Sequence, residues 1–329
     1  MKPELTDIDM SIWERELEDF VPEYVFDAHT HIWSEAHKGS NTEDSSALRL
    51  PVSLEVLHAL SSMLFPNRKL GYLMLATPLK DIDYEGHNTW IAEEAKFSNN
   101  VPLPVIPSML IVPSMTYEYV KTHALSTKVR VLKPYRVFAR DPKECDITEY
   151  LPEQILEVAD ELHMIVTLHL SKALGPADEK NLKDLEYLTK KYPNVTWILA
   201  HCARAFNSAH LERSVQRLAA METVFVDTSA VCDPFSHYLI LKYLDRQKIL
   251  FGTDNISAGA LRGTYITFGY GWEGYWQKEH LEHCDHRCTF ISYEQLRSQR
   301  QAAIMARLSN DEIEHVFYKN SLKLFSDQG

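Results

Sequence analysis

The sequence predicts an α/β fold: a (β/α)8 TIM barrel with insertions after strand 1 and after strand 8. Three observations predict it. Eight short β-rich apolar runs recur along the chain, most of them separated by stretches of helical spacing. Strands that alternate with helices form parallel sheets, because parallel neighbours need a crossover connection. Gly is scarce, at 11 of 329 residues, and no Gly-rich phosphate loop follows any run, which argues against an open doubly wound sheet.

In chain order, the first run is Tyr24–Ile32 (YVFDAHTHI). Tyr72–Thr77 (YLMLAT) follows, then a helical NTWIAEEAKF, Val105–Val112 and Val129–Pro134. LPEQILEVADEL has helical spacing and leads to Met164–Leu170, and ADEKNLKDLEYLTKKY leads to Val195–His201. A helix over residues 207–220 precedes Val224–Thr228, and one around FSHYLILKYLD precedes Ile249–Asp254. Two segments fall outside the repeat: the mostly polar 34–66, which contains a helical SLEVLHALSSML, and 255–309, rich in Gly and aromatics. Both follow strand C-termini and are expected over the barrel mouth as lids or substrate walls. The last helix, DEIEHVFYKNSLKLF, is expected to pack back on the barrel, so that residues 1–329 form one domain.

Lys and Arg number 34 against 46 Asp and Glu, a formal charge of −12, and 45% of residues are hydrophobic. These values fit an ordinary globular chain and argue against a nucleic-acid partner, which needs a basic face. A local basic pocket for a small anionic substrate remains compatible with them. No apolar run is long enough to span a bilayer, and the acidic, amphipathic start lacks the apolar stretch of a secretory signal. Five Cys, an odd number, favour reduced thiols and a cytoplasmic setting.

The 15 His matter by position. His29 and His31 are two apart on an extended strand and share a face. Strand 4 carries Lys133, strands 5 and 6 end in His169 and His201, and strand 8 ends in Asp254. In a barrel all these ends meet at one rim. Such a cluster is costly to bury without a purpose, and a divalent metal supplies one. Nitrogen and carboxylate donors suit Zn²⁺, with Mn²⁺, Fe²⁺ or Co²⁺ as alternatives.

FDAHTHIW, LHLSKA, WILAHCAR, VFVDTSA, ILFGTDN and the closing YKNSLKLF resemble the amidohydrolase superfamily, in particular its amidohydrolase-2 branch of hydrolases, lactonases, decarboxylases and hydratases. The resemblance runs from Val25 to Phe325 and implies roles for the matching residues. His29, His31, His169 and Asp254 would ligate the metal. His201 would sit beside it, on a second metal or polarising water or substrate. Asp254 would also accept a proton, and Asp27 would support the His pair from behind. Lys133 is either a carboxylated bridge between two metals or, in a mononuclear site, a structural or substrate-facing cation, and a mononuclear site is expected. Barrels of this family often pair, so a homodimer is an expectation.

Among the cations Arg136, Arg140, Lys172 and Arg204, the two nearest strand ends, Arg136 and Arg204, are the candidates to grip a substrate carboxylate or phosphate, with loop salt bridges as the alternative. His283-Cys284-Asp285-His286-Arg287-Cys288 has zinc-like spacing but no second ligand pair, and a surface patch explains it as well. Cys202 is expected to pack under the site. The aromatic run Tyr265–Trp276 would either line the pocket or serve as lid or dimer packing. The leading function is hydrolysis of a lactone, amide or ester by a metal-activated water, with Asp254 and His201 moving protons and Arg136, Arg204 and Lys133 binding substrate. The alternatives are non-oxidative decarboxylation of a small carboxylated acid and, last, a non-enzymatic metal binder.

Overall fold

The structure is a computed structural model and describes residues 4–39, 51–276 and 281–326. Eight parallel strands lie side by side in chain order: β1 Tyr24–Ile32, β2 Lys69–Ala76, β3 Val105–Ile111, β4 Val131–Pro134, β5 Ile165–Leu168, β6 Thr196–Leu199, β7 Val224–Asp227 and β8 Ile249–Leu250. The ring closes beyond β8. Ala28 N donates to Phe251 O (2.8 Å), Asp254 N to His29 O (2.9 Å) and His31 N to Asn255 O (2.6 Å), so residues 251–255 run along β1. Helices connect the strands, as the alternating pattern requires, and the architecture is the (β/α)8 barrel.

The strand bounds differ from the apolar runs where side chains leave the ladder. β6 stops at Leu199 because the chain turns left-handed at His201, and regular β8 pairing ends at Leu250. The expected helix over 207–220 is two short helices, Ser208–Glu212 and Val215–Ala219. Both segments that follow strands 1 and 8 contain a helix. Leu54–Leu64 is the β1-to-β2 crossover helix, with Leu54, Leu57, Leu60 and Leu64 buried on one face and Ser53 as its N-cap. Ile291–Ala306 is likewise the helix that follows β8, packed against helix Pro234–Tyr243. Residues 40–50 and 277–280 of the two expected insertions lie outside the described residues.

Inside the ring, Phe26, Leu73, Val131, Ile165, Ile198 and Leu250 form a core of their own. Its open end is stopped by the C-terminal helix Asn320–Ser326, where the Phe325 ring lies 5.3 Å from that of Phe26. Asn320 Nδ2 anchors that helix to the carbonyls of Arg246 (2.7 Å) and Ile249 (2.9 Å). A second, larger core lies between the strands and the helices, with Tyr72, Tyr150 and Trp197 buried in it. All five cysteines are free thiols, and among the described residues no helix is long and apolar enough to cross a membrane.

The N-terminal helix Asp7–Ile12 is tied to the loop after β8 by the buried Asp9. Its carboxylate accepts from Arg262 Nη2 (2.6 Å) and Nη1 (3.1 Å), Thr289 Oγ1 (2.6 Å) and Thr6 N (2.7 Å). Burial alone raises this carboxyl, but the hydrogen bonds from Arg262, Thr289 and Thr6 outweigh it and hold the folded value below the ordinary one. The stabilisation is therefore complete above about pH 4 and is lost as pH falls through the folded value. Asp9→Asn is expected to cost about 2–3 kcal/mol at neutral pH. It should also flatten the acid limb of a stability-against-pH curve measured by denaturant unfolding. Equal acid limbs in the two proteins would contradict the clamp.

Candidate metal centre

Strict alternation would put Asp27, His29 and His31 on one face of β1 and Phe26, Ala28 and Thr30 on the other. Phe26 and Ala28 nevertheless belong to the core inside the ring, while His29 and His31 line the cavity at its mouth. A register shift reconciles the two. Asp27 pairs with Tyr72 but Thr30 with Met74, so β1 carries one extra residue between them, and this bulge switches which side chains face inward. Asp27 holds the bulge: its carboxylate accepts from His29 N (3.1 Å), Thr253 N (3.0 Å) and Thr253 Oγ1 (2.5 Å). Burial pushes its carboxyl up to about 7 despite those bonds. Gly252 permits the close approach of the two chain segments, since a Cβ there would stand 2.9 Å from His29 Cβ.

Each of the four histidines is anchored through Nδ1. His29 Nδ1 donates to Asp227 Oδ2 (2.8 Å), His31 Nδ1 to Ala76 O (3.0 Å), His169 Nδ1 to Leu170 O (2.8 Å) and His201 Nδ1 to Ser229 O (3.0 Å). The proton on Nδ1 leaves each Nε2 with a lone pair. The rings crowd together, with centroids 5.2 Å apart for His29 and His31, 4.8 Å for His29 and His201, and 5.1 Å for His169 and His201. Asp254, at the end of the segment that closes the ring, puts Oδ1 2.8 Å from His31 Nε2 and 3.8 Å from His29 Nε2. Both nitrogens of His31 thus face oxygen acceptors, an arrangement that a cation bound by both Nε2 and Asp254 Oδ1 would satisfy.

The electrostatics agree with a cation site. Burial, and next the Lys133 ammonium, lower His29 to about 3. Burial lowers His201 and, with His201, Arg136 and Arg204 adding to it, lowers His169 well below the ordinary range. These rings are neutral near pH 7. Burial alone raises Asp254, but the His31 contact and the nearby rings outweigh it, and the carboxylate stays ionised. Among the described residues, two groups have ligand atoms close enough to hold a metal ion: His29, His31 and Asp254; and His29, His201 and Asp227. His169 lines the same cavity but belongs to neither group.

His201 reaches the site through an unusual turn. His201, Cys202, Ala203 and Arg204 all have positive φ, at 60°, 51°, 63° and 64°, which makes a left-handed turn without a single Gly. Asp227 Oδ1 accepts His201 N (3.0 Å), and Ala205 N closes the turn on His201 O (2.9 Å). Asp227 and Ser229 are the residues that the sequence reading did not single out. Their signal was present: Asp227 also closes an apolar strand, within VFVDTSA. Cys202 lies buried beneath the site, 3.8 Å from His237 Nδ1.

The cavity over these groups measures about 490 Å³ and is lined also by Pro78, Lys133, Tyr135, Arg136, Val137 and Lys143. Lys133 is buried within β4, and burial lowers its ammonium to about 8. Arg136 Nη1 donates to Pro142 O (2.7 Å). Among the described residues, no carboxylate lies within ion-pair distance of Lys133, Arg136, Lys143 or Arg204. Arg204 is not in the cavity wall; its guanidinium bonds the carbonyl of Lys172. Lys172 itself pairs with Asp146 (3.1 Å) and therefore serves the loop.

The aromatic run forms a hairpin, β9 Thr264–Phe268 and β10 Gly271–Tyr275. The Tyr265 ring meets Phe206 edge-on and the Trp272 ring lies tilted against it, and the Phe206 ring is 5.4 Å from that of His201, so the hairpin packs on the residue that backs His201. Neither group able to hold a metal includes the 283–288 segment, where Arg287 pairs with Asp285 and Asp7. Gly252→Ala should cost about 1–3 kcal/mol by overpacking His29, read by thermal unfolding, and should weaken metal binding. Unchanged values of both would contradict the close approach.

A search of curated proteins finds no match. Among solved structures the fold is similar to an amidohydrolase from Burkholderia multivorans with bound zinc (12% identity, 92% of this chain and 99% of that one, TM-score 0.57). It is also similar to the manganese-bound 5-carboxyvanillate decarboxylase from Novosphingobium aromaticivorans (12%, 94% and 98%, 0.56) and to 4-oxalomesaconate hydratase from Rhodopseudomonas palustris (14%, 92% and 95%, 0.55). At these identities the likeness is one of fold. The family model described as Amidohydrolase matches residues 26–326. The chain belongs to the amidohydrolase family of metal-dependent enzymes.

Proposed function

We propose that the protein is a metal-dependent hydrolase of a small anionic substrate, cleaving a lactone, amide or ester bond. The observation that carries the reading is the set of Nδ1-anchored imidazoles that offer Nε2 lone pairs beside the Asp254 carboxylate. His29, His31, His169 and Asp254 would hold one ion, Zn²⁺ by the chemistry of these donors; the zinc and manganese in the two similar structures leave both metals to be tried. When bound, the ion would polarise the substrate carbonyl and acidify the attacking water. Asp254, ionised and open to the cavity, accepts that water's proton. His201, neutral and bonded through Nδ1, presents an unprotonated Nε2 that would accept the proton taken up by Asp254 and pass it to the leaving group. Arg136 and Lys133 orient the substrate's anionic group, and Arg204 adds positive charge from behind the wall.

Purified without chelator and offered Zn²⁺ or Mn²⁺, the protein should hold about one equivalent by elemental analysis, and the double variant His29→Ala/His31→Ala should hold none. A metal-free wild type would refute the reading, and two equivalents would revive a Lys133 carbamate bridge. Asp254→Asn should lower kcat by at least about 100-fold on whichever substrate is turned over. Arg136→Gln should raise KM for a carboxylate substrate by about 30-fold, equivalent to ~2 kcal/mol, and leave KM for its neutral ester nearly unchanged.

A second reading, decarboxylation of a small carboxylated acid, is favoured by one observation: cations without carboxylate partners face a cavity whose fold-mate from Novosphingobium is a decarboxylase. In that case Lys133 and Arg136 would orient the carboxylate that leaves. A panel of lactones, amides, esters and carboxylated aromatic acids separates the two, through release of acid or of CO₂.

A further inference from the structure

Asp227 is wholly buried at the end of β7, and its two oxygens have unequal duties. Oδ2 accepts from one partner, His29 Nδ1 (2.8 Å). Oδ1 accepts from three: His201 N (3.0 Å), Ser229 N (3.1 Å) and the Ser229 hydroxyl. Having given its proton to Asp227, the Ser229 hydroxyl oxygen can only accept from the two rings. It stands 2.9 Å from His201 Nδ1 and 3.2 Å from His29 Nδ1. Both rings therefore meet acceptors alone on this side, and both must carry their proton on Nδ1.

We propose that Asp227 is a positioning residue: Oδ2 fixes the tautomer of His29 directly, while Oδ1 holds His201 N and Ser229 in place so that the Ser229 acceptors fix the tautomer of His201, and both Nε2 lone pairs turn toward the cavity. One buried carboxylate thereby coordinates the residue read above as a metal ligand with the residue read as a proton carrier. The affinity part of the proposal rests on that metal reading; the tautomer part does not.

The unequal duties make a sharp prediction for Asp227→Asn. Three donors converge on Oδ1, so the oxygen of the new amide must take that place. Its NH₂ group then faces His29 Nδ1. Two donors cannot face one another, and His29 must move its proton to Nε2, while His201 keeps its proton on Nδ1 because Ser229 is unchanged. The test uses the full chain, stripped of metal and labelled with ¹⁵N-histidine, its ring signals assigned with single His→Gln variants. In wild type, two-bond ¹H–¹⁵N spectra should show both rings as Nδ1–H. In D227N only His29 should change to Nε2–H. Zn²⁺ affinity, measured by chelator competition, should fall about 10- to 100-fold.

Retention of Nδ1–H by His29 in D227N, or a change at both rings, overturns the proposal. A wild type that binds no metal would sink the metal reading, while the spectra still decide the positioning role. If D227N does not fold, Ser229→Ala serves instead. It keeps the carboxylate, so the His201 signals should shift while His29 stays Nδ1–H. A tautomer change at His29 in that variant overturns the proposal equally.

Discussion

Ring closure between β1 and the segment after β8 is the constraint on which the rest depends. It brings His29 and His31 from the first strand beside Asp254 from the last, with Gly252 and Asp27 holding the two segments in contact. Neutral imidazoles packed this tightly are tolerable only if each has a fixed acceptor on one side and a cation or proton on the other. The structure meets the first requirement with Asp227 and the carbonyls of Ala76, Leu170 and Ser229, at four different places along the chain. The arrangement of the mouth, its cavity and its cations follows from where that closed ring sets the strand ends.

Much of this was legible in the sequence. His29, His31, His169, His201 and Asp254 each sit at or just past the end of an apolar run, and parallel strands in a ring leave such residues nowhere else to go. Lys133 was legible as a strand-4 residue, although its burial was not. Other features carry no local signal. The β1 bulge is invisible because the sequence period on either side of it is the same, and only pairing with β2 exposes the extra residue. The left-handed turn at 201–204 contains no Gly, Asn or Asp to announce it. The helical spacing of 53–64 was legible, but its place as the crossover between β1 and β2 was not, and the helix Ile291–Ala306 carried no signal against the aromatic stretch before it. Asp227 obeys the same strand-end rule, but a single Asp closing a strand has no ligand spacing to distinguish it.

Charge distribution completes the picture. A chain of net charge −12 gathers Lys133, Arg136, Lys143 and Arg204 around one cavity or just behind its wall. Elsewhere about half of the described Lys and Arg pair with carboxylates, as Arg217 does with Glu179 and Glu186. Cations at this cavity favour an anion there, in a chain whose net charge is negative. Lys172 marks the boundary: bonded to Asp146, it stabilises the wall and contributes little to the field inside.

The left-handed turn has a consequence for how this chain can vary. Left-handed backbone costs about 1–2 kcal/mol for each residue other than Gly. Glycine at 201–204 would remove that strain, yet each of the four positions carries a side chain with a place in the structure. His201 faces the cavity, Cys202 meets His237, Ala203 is wholly buried and Arg204 bonds Lys172. The turn is therefore a locus where substitutions that favour folding work against the site. Its tolerance to change is set by chemistry, and gains in stability must be sought in the outer helices.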